Sequence, residues 1–592
     1  MIKILISCLK LVSKRNKRNT YLMLIGNQIG SILEVVGLGL IPILALNILN
    51  KDKILLFLKE KNMEFFSSYI NMDNFIFYSF GILIGFFIFK NFFLFIMGYF
   101  QAKLRISIFN DLSNRFFQLY IHSPYQYFLK KNPSYLTSIM TNEVHGACTV
   151  LELLILLIRD FFSVIIISIV LILIDPKISL FLIIFIFLLV LIFNRLIKKF
   201  ISLKGKILQE SRADNIKLIN QSFEIIKEAK ILKKESFFVN LFSAQLKLMG
   251  KLKLTSAIIG FIPRPILEII VLIVIALVLF YASFVNNNLN TAIPFVSFFA
   301  ISSIRLIPAF KNISTSLTNI NFNKISIDII TKEMEEISNN QKFFSESIQN
   351  NDVITKKSGE LKKFEIKKVN FKYNKNIDVL KNISLEINNG EKIGIIGPSG
   401  SGKSTLINLI LGLLKPSDGQ ILVNKNDIYQ NLNYWHNLIG YIPQEIYLLN
   451  ESIKSNIALG QKESEISTFL IDEAIRKSNS KEFIDHLPDG INTNVGNRGI
   501  SFSGGQKQRL GIARALYRQP KVLILDEATN SLDAENEKAI NSHILNLKDI
   551  TVIIVAHNVS TLSNCDKLVL MDNGSIKDIG SFLDITQKYN LV

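Results

Sequence analysis

The stretch Gly397-Pro398-Ser399-Gly400-Ser401-Gly402-Lys403-Ser404 decides the fold of the second half of the chain. The apolar run 392–396 before it is typical of a buried strand, and the pattern from Thr405 to Leu413 predicts a helix. Glycines in such a loop let backbone N–H groups surround phosphate oxygens. A plain glycine-rich turn is the alternative, but this spacing between a strand and a helix favours a phosphate-binding loop. Lys403 is then placed to reach the β- and γ-phosphates, and Ser404 to ligate Mg²⁺.

A pair of acidic residues follows a second apolar run. Residues 521–525 predict a buried strand that ends at Asp526-Glu527. A carboxylate at that position, here Asp526, is suited to hold Mg²⁺ through water, and Glu527 to polarise the attacking water. A surface acidic pair is the alternative, and the four apolar residues in front of it make that interpretation weaker.

The charge of the chain is distributed unevenly. The 592 residues carry a formal charge of +19 and include 44 Phe, and the mean hydropathy is +0.33. From residue 363 onward the chain has 26 Lys+Arg against 25 Asp+Glu, which leaves 41 basic and 23 acidic residues before that point. The excess therefore lies in the apolar half, which excludes a soluble nucleic-acid-binding protein and a disordered chain. The three Cys are far apart and predict neither a disulfide framework nor a zinc site.

The first half contains six apolar segments long enough to span a bilayer. They are Tyr21–Leu49, Phe75–Phe100, Leu151–Ile174, Ile178–Leu196, Ala257–Phe284 and Ala292–Phe310. The tail before residue 20 and the loops 101–147 and 195–256 are rich in Lys and Arg, whereas the alternate loops are balanced. Because basic loops stay on the cytoplasmic side, both termini are expected there. Pro263 and Pro265 predict a kink in the fifth segment.

These patterns predict an α-helical membrane domain with six transmembrane helices, fused to an α/β P-loop ATPase domain. We place the membrane domain at 1–325, a polar linker at 326–362 and the ATPase domain at 363–592.

Ser503-Gly504-Gly505-Gln506 resembles the signature sequence of ABC transporters, and other motifs of that family follow in the expected order. The resemblance implies that Tyr373 stacks on adenine and that Gln444 contacts Mg²⁺. It also implies that Ser531-Leu532-Asp533 is the D-loop and that His557 holds the γ-phosphate and orients water. Glu527, His557 and Lys403 are then the catalytic residues, and Ser404, Gln444 and Asp526 the metal-binding ones. The residues expected at ATP are Tyr373, Gly397, Pro398, Ser399, Gly400, Ser401, Gly402, Lys403, Ser404, Thr405, Gln444, Asp526, Ser503, Gly504, Gly505 and Gln506.

The same resemblance implies a half-transporter of the exporter type. In that family the signature sequence faces ATP held by a partner subunit, so two chains are needed, and the intact motifs favour a homodimer. His122–Lys130 and Ser222–Phe238 would be the coupling helices. The expected location is the bacterial inner membrane, with ATP and Mg²⁺ as ligands, the lipid bilayer as surroundings and no nucleic acid partner.

Charged residues inside the predicted spans indicate what is moved. Lys90, Arg264 and Arg305 fall at similar predicted depth, and three cations lining one cavity would suit a pyrophosphate. The alternative is that Arg264 pairs with Glu268 at i+4, while Lys90 and Arg305 reach towards the interface or pair elsewhere.

The whole chain, and in particular the sequence around these cations, resembles bacterial lipid-linked oligosaccharide flippases. Met63–Ile70 resembles the short external helix of that family. The resemblance implies an ATP-driven flippase for an anionic amphiphile, such as a polyprenyl-pyrophosphate-linked oligosaccharide or another lipid. The alternatives are a peptide or multidrug exporter and, in a different class, an ATP-gated channel. The intact Glu527 and His557 argue against the channel.

Overall fold

The structure is a computed structural model of the chain. It describes residues 2–49, 75–174, 176–284, 289–346, 362–373, 377–496, 499, 502–527, 542–547, 549–556 and 559–590. The chain divides into two compact units. The first comprises Met1–Ser123 and Phe128–Asn339, and the second comprises Pro124–Tyr127 and Asn340–Val592.

The first unit is helical. Its helices, in chain order, are α1 (Ile2–Leu11), α2 (Lys14–Leu49), α3 (Phe75–Ile121), α4 (Tyr125–Lys130, shared with the second unit), α5 (Pro133–Ser138), a π-helical turn (Ile139–Glu143), α6 (Val144–Ile174), α7 (Pro176–Glu224), α8 (Ile226–Ile231), α9 (Glu235–Phe261), α10 (Pro263–Phe284) and α11 (Leu289–Glu346). Each of the six predicted spans falls on a helix of this series. The fifth falls on α9 and α10, which are separated at Ile262, directly before the prolines that predicted a kink.

Three stretches of the described residues are long enough and apolar enough to span a membrane. These are Phe77–Ile121, Pro133–Leu173 and Glu235–Leu277. The outer face of α3 carries exposed side chains such as Phe77, Ile82 and Phe95. Such a face is suited to lipid, because a helix satisfies its backbone hydrogen bonds internally.

Close helix packing holds the first unit together. Val164, Ile167, Leu267, Val271 and Phe310 form part of one buried cluster between α6, α10 and α11. Elsewhere in the first unit, α7 approaches α11 closely. A Cβ on Gly205 would lie 2.0 Å from the carbonyl oxygen of Phe322. Only glycine permits that approach.

Helix α11 continues past residue 325, where the sequence placed the start of the linker. It ends at Glu346. The buried Glu333 accepts a hydrogen bond from Lys131 at 3.4 Å, and Glu336 accepts one from the same ammonium at 3.0 Å. These acidic residues therefore have a partner distant in sequence, which a polar composition alone does not reveal. The predicted domain boundaries stay a prediction.

The second unit is an α/β fold built on two sheets. Its strands are β1 (Lys363–Phe371), β2 (Leu380–Asn388), β3 (Lys392–Ile396), β4 (Asp418–Val423), β5 (Asn426–Asp427), β6 (Ile439–Ile442), β7 (Val522–Asp526), β8 (Thr551–Val555), β9 (Lys567–Asp572) and β10 (Ser575–Gly580). Its helices are α12 (Lys403–Ile410), α13 (Leu432–Leu438), α14 (Ile453–Ile457), α15 (Thr468–Lys477), α16 (Lys481–Asp485), α17 (Gly504–Tyr517) and α18 (Phe582–Tyr589).

Among the described residues, one sheet is antiparallel with the order β2-β1-β4-β5, and the other has the order β10-β9-β3-β8-β7-β6. In the second sheet β9, β3, β8, β7 and β6 are parallel. Their carboxyl ends therefore meet at one edge, which is where parallel α/β sheets bind ligands. The phosphate loop follows β3, Gln444 follows β6, and Asp526 ends β7.

Candidate functional site

The phosphate loop has the backbone that its glycines predict. Gly400 and Gly402 have φ of +84° and +99°, a region that residues with a Cβ rarely adopt. A Cβ on Gly397 would lie 2.3 Å from the carbonyl oxygen of Met571, so the loop also passes close to β9. Helix α12 begins directly after Gly402 and points its N-terminus at the loop. This is the cradle that a triphosphate requires.

The helix after the loop differs from its predicted bounds. It runs from Lys403 to Ile410 and not from Thr405 to Leu413. Gly412, with φ of +71°, lies just after its C-terminus and takes a left-handed conformation that is common where helices end.

Lys403 lies inside the loop. Its ammonium donates hydrogen bonds to the carbonyl oxygens of Gly397 at 2.8 Å and Pro398 at 3.1 Å. Burial lowers the pKa of Lys403, while the charges of Glu527 and Asp526 act in the opposite direction. The ammonium is therefore held beside two carboxylates, in a place where phosphate oxygens can replace the carbonyls as acceptors.

The acidic pair lies at the carboxyl end of β7, as predicted. Asp526 is half-buried, and burial together with the neighbouring charge of Glu527 raises its pKa. Glu527 has φ of +49°, which is uncommon for a residue other than glycine. Its backbone N–H donates to the carbonyl oxygen of Val555 at 3.0 Å, which keeps Glu527 on the sheet.

Gln444 joins this pair from the neighbouring strand. Its side-chain amide Nε2 donates a hydrogen bond to Oε2 of Glu527 at 2.9 Å. The structure thus brings Lys403, Asp526, Glu527 and Gln444 to one edge of the sheet, although up to 124 positions separate them in the sequence.

The donor set of this edge fits Mg²⁺. Hard divalent cations take oxygen ligands, and Ser404, Gln444 and Asp526 offer a hydroxyl, an amide carbonyl and a carboxylate. Burial and the charge of Glu527 raise the pKa of Asp526, and a divalent cation beside it would favour its carboxylate form. When bound, Mg²⁺ supplies neutralisation of phosphate charge.

Tyr373 and the signature residues lie at different places in the second unit. The Tyr373 hydroxyl is 3.2 Å from Oγ1 of Thr405, so the predicted adenine-stacking residue lies beside the phosphate-loop helix. Ser503 and Gln506 bond to each other in a capping box at the start of α17. Gly504 and Gly505 form the first turn of that helix.

Several predicted residues lie outside the described part of the chain. They are His557, Ser531-Leu532-Asp533, Met63–Ile70 and the side chain of Arg305. Their predicted roles stay predictions.

The predicted substrate cations are placed differently from one another. Arg264 is exposed and donates through Nε to Oε1 of Glu268 at 2.8 Å, which is the i+4 pairing that the sequence left open. Lys90 is half-buried, with its ammonium 4.3 Å from the centre of the Phe87 ring. Its stem lies near Gly37 of α2. The described contacts therefore give each of these two cations a partner of its own.

A cavity of about 550 Å³ lies between α3 and α6, and sequence reasoning missed most of its ionisable residues. Its lining includes Arg105, His145, Glu152 and Arg159. Arg105 pairs with Glu152 at 3.0 Å. Arg159 pairs with its neighbour Asp160 at 2.9 Å. Each of these two arginines is thus paired with an acidic side chain.

Comparison with known families agrees with both units. A family model described as "ABC transporter transmembrane region" matches residues 54–306, and one described as "ABC transporter" matches residues 380–530. The chain belongs to the ABC transporters. It is a multi-pass membrane protein in which a membrane domain is followed by an ATPase domain.

Relatives of this ABC transporter include exporters and a lipid flippase. It is 26% identical to an ATP-dependent lipid A-core flippase of Cupriavidus pinatubonensis, over 82% of each chain. It is 40% identical to a proposed multidrug export ATP-binding/permease protein of Bacillus subtilis, over 37% of this chain and 38% of the relative. Curated relatives at 39 to 42% identity are matched over only 19 to 42% of their own length.

The fold of the transporter has a solved counterpart. A structure of a bacterial Atm1-family ABC exporter with ATP bound superposes with a TM-score of 0.74 at 19% identity, and the match covers 97% of this chain and 96% of that chain. The predicted fold class, a helical exporter-type membrane domain fused to an α/β ATPase domain, is confirmed.

Two groups of residues around the nucleotide site of the transporter were missed by the sequence reasoning. Arg514 on α17 donates to the carbonyl oxygens of Asn456 at 2.8 Å and Tyr447 at 3.0 Å, and to Oδ1 of Asn456 at 3.1 Å. It thereby holds the segment that follows Gln444. Tyr441 lies on β6, beside the strand that ends at Asp526, and burial with the charge of Asp526 raises the pKa of Tyr441 to about 12. Neither partner is near in sequence, so spacing gave no signal.

Proposed function

We propose that this protein is an ATP-hydrolysing exporter that acts as a homodimer and translocates an anionic amphiphile across the bacterial inner membrane. The observation that carries the proposal is the convergence of Lys403, Asp526, Glu527 and Gln444 at one sheet edge. In this proposal Lys403 and the loop bind the phosphates, Asp526 holds Mg²⁺ together with Ser404 and Gln444, and Glu527 polarises the attacking water. His557 would orient the γ-phosphate, and Ser503–Gln506 would face ATP in the second copy.

The substrate proposed first is a polyprenyl-pyrophosphate-linked oligosaccharide or another anionic lipid. It is supported by the basic residues Lys90, Arg264 and Arg305 in the predicted spans and by a relative described as a lipid A-core flippase. Both termini would lie in the cytoplasm, because the basic loops do.

A peptide or multidrug exporter is the second candidate, and a specific observation favours it. Arg264 already has a partner in Glu268 at 2.8 Å, which neutralises one of the proposed substrate cations. A relative is described as a proposed multidrug export protein.

ATP hydrolysis by the purified full-length protein in nanodiscs tests the catalytic part. Glu527→Gln keeps the size of the side chain and removes the base, so we expect a loss of about 10²- to 10⁴-fold in turnover with ATP binding retained. Glu445→Gln is the matched control, because Glu445 is an exposed neighbour of Gln444. Equal turnover in Glu527→Gln and in the control would refute the assignment.

A further inference from the structure

The phosphate-loop helix α12 is held at its C-terminus by side chains of the segment 429–436. The last four carbonyl groups of a helix have no partner inside it. In α12 the carbonyl oxygens of Ile407, Asn408 and Leu409 accept hydrogen bonds from backbone N–H groups of the turn that follows, at 2.8, 2.9 and 3.0 Å. The carbonyl oxygen of Ile410, the last residue of α12, instead accepts a hydrogen bond from Nε1 of Trp435 at 2.7 Å.

Two more side chains of the same segment bind the turn after α12. Nε2 of His436 lies 2.8 Å from the carbonyl oxygen of Leu411, the residue directly after the helix. Because a carbonyl oxygen can only accept a hydrogen bond, we assign the hydrogen to Nε2. The buried Tyr429 donates its hydroxyl hydrogen to the carbonyl oxygen of Leu414. The end of α12 is thus bonded to the segment that leads into β6.

Trp435 and His436 differ in how they are packed. Trp435 is fully buried, and its ring stacks on Phe364 with 5.2 Å between the ring centres. His436 is only half-buried. The indole therefore serves the core as well as α12, and a change at His436 affects the hydrogen bond to α12 with less disturbance of the core.

These hydrogen bonds connect two parts of the nucleotide site. Helix α12 has eight residues and is about 12 Å long, with the phosphate loop at its N-terminus. Helix α13 carries Trp435 and His436 and ends at Leu438, and β6 follows directly and leads towards Gln444. Since a short helix moves as a rigid rod, a shift at its C-terminus also moves the loop at its N-terminus. The hydrogen bonds at the C-terminus therefore fix the phosphate loop relative to Gln444.

We propose that His436 is a positioning residue for the nucleotide. Together with Trp435, it holds α12 in the orientation in which the phosphate loop and Gln444 face the same phosphates. The inference rests on the proposed function, because it takes the phosphate loop to bind ATP. His436 lies at the opposite end of α12 from that loop, so it acts through the helix and not by contact with ATP.

Binding of a fluorescent ATP analogue to the full-length protein in nanodiscs tests the role of His436. His436→Leu removes the donor to Leu411, and His436→Gln keeps an N–H donor. Trp435→Phe keeps an aromatic ring and removes the donor to Ile410, so the test stands even if His436→Leu does not fold. We expect the dissociation constant to rise about tenfold in the two variants without a donor and to stay within about twofold of wild type in His436→Gln.

Ser467→Ala is the control for a loss of stability alone. Ser467 caps α15, where its hydroxyl accepts a hydrogen bond from the backbone N–H of Leu470 at 3.3 Å, and α15 packs on α17. Loss of such a cap lowers the stability of a protein. We expect Ser467→Ala to lower the midpoint of thermal unfolding, as His436→Leu does, but to bind the analogue like wild type.

The outcomes separate the inference from the proposed function, with Lys403→Ala as the test of the nucleotide site. If Lys403→Ala weakens binding and both variants without a donor stay within about twofold of Ser467→Ala, the role of His436 is refuted and the nucleotide site stands. If Lys403→Ala binds the analogue like wild type, the nucleotide site fails and the inference fails with it. Equal weakening in His436→Leu and His436→Gln would show that the N–H donor has no role and would also refute the inference.

Discussion

The side-chain amide of Gln444 donates a hydrogen bond to the carboxylate of Glu527, with 2.9 Å between Nε2 and Oε2. The residue proposed to polarise water is therefore connected to the residue proposed to contact Mg²⁺. Since Gln444 lies two residues after the end of β6 and Glu527 directly follows β7, the contact joins two neighbouring strand ends. Displacement of the Gln444 segment would change both the metal site and the base.

Replacement of Gln444 by alanine should weaken both functions of this contact. The variant loses an oxygen offered to Mg²⁺ and the amide that orients Glu527. We expect ATP turnover to fall by about 10- to 100-fold and the half-saturating Mg²⁺ concentration to rise. The check is turnover as a function of Mg²⁺ concentration, with Glu445→Ala as the neighbouring control. Turnover and Mg²⁺ dependence equal to wild type would contradict the role of Gln444.

The guanidinium of Arg514 should be irreplaceable by lysine. Its three donors reach the carbonyl oxygens of Asn456 and Tyr447 and Oδ1 of Asn456, and a single ammonium cannot reproduce this fork. We expect Arg514→Lys to lower the free energy of unfolding by about 2 kcal/mol. Thermal unfolding of the full-length protein measures this.

Arg518, which directly follows the end of α17, is the control for Arg514. It makes an exposed hydrogen bond to Asn437 at 2.9 Å, so Arg518→Lys should have little effect. Equal shifts in the two variants would show that the Arg514 network adds no stability of its own.

Much of the nucleotide site could be predicted because its residues are contiguous. The loop 397–404 and the strand before it are local patterns, and β3 has the predicted bounds. The hydrogen bond between Gln444 and Glu527 joins residues 83 positions apart in the sequence. Such contacts depend on strand order and register, and a single sequence specifies neither.

The membrane half was predictable in outline and less so in detail. Hydropathy located the segments because the bilayer imposes length and composition. Which face of a helix meets a cavity, lipid or a neighbour depends on packing, so hydropathy could not decide whether Arg264 faces a substrate or Glu268. Similarly, the partner of Glu333 is Lys131, which lies in a different part of the chain.

The close approach of α7 and α11 makes a further prediction. Gly205→Ala would place a methyl group 2.0 Å from the carbonyl oxygen of Phe322, and the helices would have to separate. We expect a loss of about 1–3 kcal/mol in stability, as for other overpacked sites. Thermal unfolding in detergent is the measurement.

Gly250 in α9 provides the matched control. A Cβ there meets no atom within 4 Å, and alanine is the better helix former by up to about 1 kcal/mol. Gly250→Ala should therefore be neutral or stabilising. A Gly205→Ala variant as stable as Gly250→Ala would refute the tight contact.

The pair Arg264–Glu268 distinguishes the two candidate substrate classes. If Arg264 binds a pyrophosphate, Arg264→Ala should raise the glycolipid concentration that half-stimulates ATP turnover by about tenfold, or ~1.4 kcal/mol. Glu268→Gln releases Arg264 from its 2.8 Å ion pair and should lower that concentration. Stimulation unchanged in both variants would favour a peptide or multidrug exporter.

ATP-dependent translocation in proteoliposomes tests the central claim most directly. A fluorescent polyprenyl-pyrophosphate-linked oligosaccharide is placed in the membrane, and its transfer between leaflets is followed by loss of accessibility to an added quencher. We predict ATP-dependent transfer by wild type and by Glu445→Gln, and none by Glu527→Gln. Transfer at the same rate by Glu527→Gln, or by wild type without ATP, would contradict an ATP-driven flippase that uses this site.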